Sequence, residues 1–159
     1  MTGFTYAEVG CTRPGAAAPA GYHTHHREVV LGDGAWDLAL EALRAWTMFE
    51  MDWVKLSVDG PPEVGGIATV TARVGPLTLT NPCRVIELYD TPAHMGFSYG
   101  TLPGHAMSGE ERFSVHRDGD VVRYEILAYS KPGTWLAWVG LPVVRHLQWR
   151  FGTQSLEAM

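Results

Sequence analysis

Between Tyr99 and Phe113 this chain gathers a phenol, a threonine hydroxyl, a histidine and two adjacent carboxylates. The stretch runs Tyr99-Gly100-Thr101-Leu102-Pro103-Gly104-His105, then Ala106-Met107-Ser108, then Gly109-Glu110-Glu111-Arg112-Phe113. Histidine and carboxylate side chains carry protons in general acid–base chemistry, and a carboxyl turned into an apolar hollow has its pKa raised toward neutrality. His105 and Glu111 are therefore the candidate catalytic pair, with Tyr99 and Thr101 placed to orient a carbonyl. Gly100, Pro103, Gly104 and Gly109 predict a turn here between two half-buried strands.

A strand's period of two decides which carboxylate faces inward. Phe113 and Val115 mark the apolar face, so Glu111 shares it, whereas Glu110, Arg112, Ser114 and His116 point outward. In the next strand Val122, Tyr124, Ile126 and Ala128 face inward, with Arg123 and Glu125 outward; in the preceding one Met95, Phe97, Tyr99 and Thr101 face inward. The inner face is thus apolar with one polar end. Candidate ligand-binding residues are Tyr99, Thr101, Tyr124, Phe97 and Phe113, joined by Trp138 and Arg145 near the C-terminus, where Arg145 suits an anionic group at a cavity mouth. Two environments fit Glu111: the hollow, or the first residue of its strand, in water or paired with an arginine. His105 also fits two, the site or a surface loop where it donates to a backbone carbonyl.

His23 and His25 share a strand face and could chelate a metal if a third ligand came from elsewhere. The stretch Tyr22-His23-Thr24-His25-His26-Arg27 reads equally as a polar edge strand, and no metal site is assigned. Ser108 lacks the G-x-S-x-G elbow of a serine hydrolase, and Cys83 reads as a small core residue. The glycines form neither a dinucleotide fingerprint nor a P-loop, so no cofactor is expected.

These residues need elements to position them. A strand is expected over 22–31, then a helix capped by Asp33, carrying Trp36, Leu40, Leu43 and Trp46 or Thr47 on one face and ending near Met48. The period then falls to two over 53–58, 67–74, 77–80, 84–89, 95–101, 111–115 and 121–128, with breaks such as Gly75-Pro76, Asn81-Pro82, Thr91-Pro92 and Asp118-Gly119. Trp135 and Trp138 open a helical stretch continued by Val144, Leu147 and Phe151; Pro142 must kink it or start a second helix, and the tryptophans read as core. The order predicts an α+β fold, one domain over 1–159: a curved antiparallel sheet of about six to seven strands gripping a long C-terminal helix, with a second helix near residues 34–48. This element order resembles the START-like, helix-grip superfamily, whose folds usually enclose an apolar cavity between sheet and helix.

A second resemblance covers nearly the whole chain. Phe4-Thr5-Tyr6-Ala7-Glu8-Val9-Gly10, Pro82-Cys83-Arg84-Val85, Gly96 through His105, Gly109 through Phe113, and Gly140 through Arg145 with Gln148 resemble a family of small bacterial and plant proteins. That family is catalogued only as a domain of unknown function. The resemblance implies a single compact domain, singles out His105 and Glu111, and supplies no substrate. The chain departs from the common form at Ala106-Met107, where a proline and a polar residue are expected.

Composition narrows the function classes. The 159 residues carry a net charge of −5, and no basic run is present, which excludes nucleic acid as an expected partner. Charged residues are 18%, below the usual ~25%, which fits a homodimer. Two cysteines, Cys11 and Cys83, are too few for a disulfide framework. The longest apolar run, 135–144, is broken by Gly140 and Pro142 and falls short of the ~20 residues a membrane span needs. With no cationic start and apolar core at the N-terminus, the expected location is cytoplasmic. The leading functional expectation is a protein that binds a hydrophobic small molecule in the cavity, with acid–base chemistry of the cyclase, dehydratase or isomerase type. A non-catalytic carrier or sensor and a cavity-free interaction protein are the alternatives.

Overall fold

Seven strands follow one another through a single antiparallel sheet, and the computed structural model describes residues 3–159 of it and its helices. The elements are β1 (His23–Val30), α1 (Trp36–Arg44), a 3-10 turn (Thr47–Phe49), β2 (Val54–Ser57), β3 (Ile67–Val74), β4 (Leu77–Thr91), β5 (His94–Thr101), β6 (Met107–Asp118), β7 (Val121–Pro132), α2 (Trp135–Val139) and α3 (Leu141–Ala158). The sheet order is β1-β7-β6-β5-β4-β3-β2. From β3 to β7 each strand pairs with the one before it, and β1 crosses over to pair with β7 and close the far edge. A register shift between Val85 and Glu87 marks a bulge in β4, the kind of irregularity that bends a sheet. The curved sheet and its gripping C-terminal helix are the predicted α+β architecture.

The strands are longer than breaker residues suggested. Asn81-Pro82 lies inside β4, where Pro82 pairs opposite Thr69 of β3. The Pro82 carbonyl accepts from Leu102 N at 3.0 Å, just past the end of β5. In an antiparallel strand a residue's N–H and C=O point the same way, so the donor that proline lacks would face a place where the partner strand has ended. β6 likewise starts at Met107 rather than Glu111. Gly100 and Gly109 therefore lie within strands, and only Pro103 and Gly104 (φ +101°) remain in the turn. Glu111 sits in mid-strand, opposite Tyr99 on one side and Ala128 on the other.

Helix α1 is capped two residues after Asp33: its N-cap is Ala35, without a side-chain cap. It ends at Arg44, where Trp46 takes a left-handed conformation (φ 59°) and its Nε1 donates to Gly60 O. This reversal drives Phe49 into the concave face. Phe49 lies 5.3 Å from Phe113 and 5.2 Å from Phe151 between ring centroids, and Trp46 lies 4.6 Å from Phe97. One half of the concave face is thereby packed solid. Pro142 occupies the first turn of α3, so the proline starts a second helix rather than kinking one. α3 crosses the 3-10 turn, β1 and β7, and Tyr124 Oη and Ser155 Oγ, 2.9 Å apart, pin it down.

The outward face is not a wet face. Glu110, Arg112, Ser98 and Ser114 point outward as the alternation requires, yet all four are buried. Residues 4–13 lie over them. Thr5 N bonds Thr101 O, and Gly100 makes room for the tyrosine above it, since a Cβ there would sit 2.3 Å from Tyr6 Oη. The tryptophans of α2 and α3 also depart from expectation: Trp135, Trp138 and Trp149 are mostly exposed. An apolar residue type marks a candidate core position, but only neighbouring elements bury it, and no described element covers Trp135 and Trp138.

Candidate functional site

Under α3, beside the packed aromatic cluster, a cavity of about 170 Å³ remains. Every strand contributes to its wall, among them His25 (β1), Val54 (β2), Val70 (β3), Leu79 (β4), Tyr99 (β5), Glu111 (β6) and Ala128 (β7). Phe49 closes one side, and Val144, Leu147 and Phe151 of α3 form the roof. The wall is mostly apolar, and Glu111, Tyr99, Thr101, His105, His25, Asn81, Ser130 and Gln148 are among the polar residues that reach it. An apolar cavity of nearly this size elsewhere, ~150 Å³, stays dry and takes up benzene.

Glu111 lies deep within the fold and keeps some accessible surface because it borders the cavity. Its Oε2 accepts a hydrogen bond from Tyr99 Oη at 2.8 Å. Burial pushes its pKa up to about 7, although the tyrosine bond favours the charged form. Burial and the neighbouring Glu111 raise the Tyr99 phenol well above its ordinary range, so the phenol stays a donor. The carboxyl is therefore balanced between its proton-giving and proton-taking forms near neutral pH.

His105 lies in the turn before β6 and also borders the cavity. Its Nδ1 accepts from Met107 N at 2.9 Å, so the neutral ring carries its proton on Nε2. Burial lowers its pKa to about 4. No hydrogen bond joins His105 to Glu111; they border one cavity with separate partners. The loop is held from β4, where Asn81 Oδ1 accepts from Ala106 N. Thr101 reaches the wall, but its hydroxyl pairs with that of Thr5 and accepts from Gly109 N.

The remaining predicted ligand contacts lie elsewhere. Phe97 and Phe113 belong to the packed aromatic cluster, and Tyr124 spends its hydroxyl on Ser155 beneath α3. None of the three borders the cavity, because α1 and the 3-10 turn cover their part of the inner face. Trp138 stands in solvent on α2. Arg145 is one layer behind the wall, donating to Ser130 Oγ at 3.3 Å and Gln148 Oε1 at 2.8 Å. Ser130 and Gln148 do border the cavity; Ser130 lies beyond Ala128, where the alternation ends β7, and Gln148 reaches the wall from α3. His25 borders it as well; the sequence pattern marks none of the three as a cavity residue. Its ring presses on α3 at Gly152, where a Cβ would sit 2.5 Å from Nε2, and that nitrogen has no hydrogen-bond partner. Burial lowers its pKa to about 4. The alternation of β1 put His25 on one face; the crossover that seats β1 beside β7 is not a local signal.

The three histidines of β1 diverge: His25 joins the cavity, His23 is exposed, and His26 Nε2 lies 3.2 Å from Glu125 Oε2. His26, Glu28 and Glu125 bring ligand atoms within 4.8 Å of one another. Glu125 is also ion-paired with Arg112, and bonds from His116 and Arg112 hold its carboxyl far below the carboxylate range. Among the described residues, Glu110 has the densest set of donors. It accepts from Tyr6 Oη and Gly10 N at 2.7 Å each and from both the backbone and hydroxyl of Thr12. Two adjacent carboxylates thus have opposite duties: Glu110 ties the N-terminal segment down, and Glu111 faces the hollow.

A family model described as a domain of unknown function (DUF1990) matches residues 5–158. A UPF0548 protein of Arabidopsis thaliana is 33% identical over 148 residues, which cover 87% of this chain and 72% of that protein. Among solved structures, a hypothetical protein from Helicobacter pylori superposes with a TM-score of 0.62 at 12% identity, covering 98% of this chain and 95% of its own. Norcoclaurine synthase from Thalictrum flavum, in complex with dopamine and hydroxybenzaldehyde, superposes with a TM-score of 0.54 at 14% identity, covering 85% and 86%. At such identities these likenesses show the fold, a START-like helix-grip. No helix among the described residues is long and apolar enough to cross a membrane.

Proposed function

The chain belongs to the DUF1990 family, and from that starting point we propose that it takes a small, largely apolar molecule bearing a carbonyl or hydroxyl group into the cavity under α3. Glu111 exchanges a proton with that group there. The observation that carries this reading is the buried carboxyl at the cavity wall, bonded to Tyr99 and titrating at about 7. A general acid or base works best with a pKa near the operating pH. The volume suits a body of one ring, and the fold neighbour in complex with dopamine and hydroxybenzaldehyde lends support for aromatic occupants. Tyr99 orients the carboxyl, and His105 offers its Nε2–H as a second polar contact. The reaction types that fit are isomerisation, dehydration and cyclisation, in which protons move without a redox partner.

A carrier or sensor is the second reading. It is favoured by the separate partners of His105 and Glu111, which leave only one group balanced for proton transfer. The hollow itself speaks against a cavity-free interaction protein. Titrating the protein with phenol and benzaldehyde while recording amide NMR shifts tests occupancy: shifts are expected at Met107, Gly109 and Ala128, and their absence refutes both readings. Where turnover of any carbonyl ligand is found, Glu111→Gln should abolish it while preserving the shifts; undiminished turnover would remove Glu111 from the chemistry.

A further inference from the structure

On the outer side of the α2–α3 corner, Trp135, Leu136, Trp138, Val139, Val143 and Trp149 are each more than half exposed. Large exposed apolar groups scattered singly need no explanation, but six on one hairpin of helices, three of them tryptophan, mark a contact surface. Along the sequence the charge of this stretch is one-sided. From Ile126 to Leu156 the sequence contains no carboxylate but does contain Lys131, Arg145 and Arg150, in a chain whose net charge is −5. Lys131 stands over the Tyr22 ring, and Arg150 lies over Trp53 with only a long contact, 3.9 Å, to the exposed Asp52. Tryptophan's amphipathic ring beside lysine and arginine is the composition that settles at the boundary between lipid headgroups and acyl chains.

We propose that this corner docks on an anionic lipid bilayer, with Trp135, Leu136, Trp138 and Val139 entering the headgroup boundary and Lys131 and Arg150 meeting lipid phosphates. The composition selects this occupant: a stretch free of carboxylates that carries exposed tryptophans with Lys131 and Arg150 fits an anionic surface. The position has a consequence for the cavity. α2 follows directly on β7, whose Tyr129 and Ser130 border the hollow, and the inner side of the same α3 roofs it with Val144 and Leu147. A docked corner therefore brings the cavity roof to the membrane, where apolar small molecules partition. Docking does not depend on the acid–base reading of Glu111.

The test is flotation of the full chain with two sets of vesicles, phosphatidylcholine alone and phosphatidylcholine mixed with phosphatidylglycerol. Tryptophan emission and light scattering are recorded alongside. Binding to the anionic vesicles is expected, with a blue shift and partial release by salt. Trp135→Ala with Trp138→Ala should lower the bound fraction about tenfold or more. Lys131→Glu with Arg150→Glu should abolish the preference for anionic lipid. Both positions of the tryptophan pair are exposed, so an unchanged circular dichroism spectrum and melting temperature serve as the folding control. Three results overturn the proposal: no flotation of the native chain, flotation that the tryptophan variant retains, or a dimer that the variant dissolves without any vesicle binding. The last assigns the corner to a second copy of the chain.

Discussion

Replacing Glu111 by glutamine probes the electrostatics of the hollow without any knowledge of the ligand. In the fold the carboxyl titrates at about 7 against an ordinary 4.5. The folded state therefore holds the proton more tightly than the unfolded chain. Its contribution to stability is whole below about pH 4.5 and is lost as pH rises through about 7. At ~1.4 kcal/mol per pH unit, the gap corresponds to about 3 kcal/mol. Glutamine has nearly the same shape, still accepts from Tyr99, and never ionises. Urea unfolding of both proteins from pH 4 to 9 should give nearly equal stabilities at the acid end. The variant should then gain on the parent by ~1.4 kcal/mol per pH unit between about 4.5 and 7, and level off near 3 kcal/mol above it. All other titrating groups are common to both proteins and cancel in the difference. A difference that stays flat across this range means the carboxyl titrates as in water, and the account of a buried acid at the cavity wall is wrong.

Two further outcomes follow from groups outside that difference. Glu110→Ala strands Tyr6 Oη, Gly10 N, Thr12 N and the Thr12 hydroxyl beneath the N-terminal segment. Bonds to a charged acceptor are worth ~1.5–3 kcal/mol each and are not additive, so a loss of at least about 3 kcal/mol is expected, read as a lower denaturation midpoint. An unchanged midpoint would mean that segment does not hold the sheet. His25, His94 and His105 are each lowered to about 4 by burial. Their contribution is whole above about 6.5 and is lost as pH falls toward 4, so the parent protein should lose stability steeply over that window. Replacing His105 by asparagine should make the slope shallower, and an unaltered slope would show that this ring is not buried neutral.

Much of the architecture was written in local patterns. Period-two alternation assigned Glu111 to the inner face and Glu110 to the outer one, and both orientations hold in the structure, because alternation is a property of the extended backbone itself. The helix-grip element order was legible for the same reason. Strand ends were not: a proline or glycine ends a strand only if the partner's position leaves it unpaired, and at Pro82 the partner β5 has already ended. That error hid Ser130 and placed Glu111 at a strand tip. The site was half legible. Tyr99, Thr101, His105 and Glu111 reach the cavity, whereas Phe97, Phe113, Tyr124, Trp138 and Arg145 do not.

What this sequence determined alone was the face on which each strand residue stands, the all-antiparallel plan and the helical C-terminus, since each depends on the geometry of a few consecutive residues. Which inner-face residues border empty space was decided only in three dimensions. Trp46 reverses the chain and sends Phe49 onto Phe113, filling one half of the concave face, while α3 spans the other half without filling it. A hollow is a volume left over by distant elements, so no single stretch of the chain encodes it.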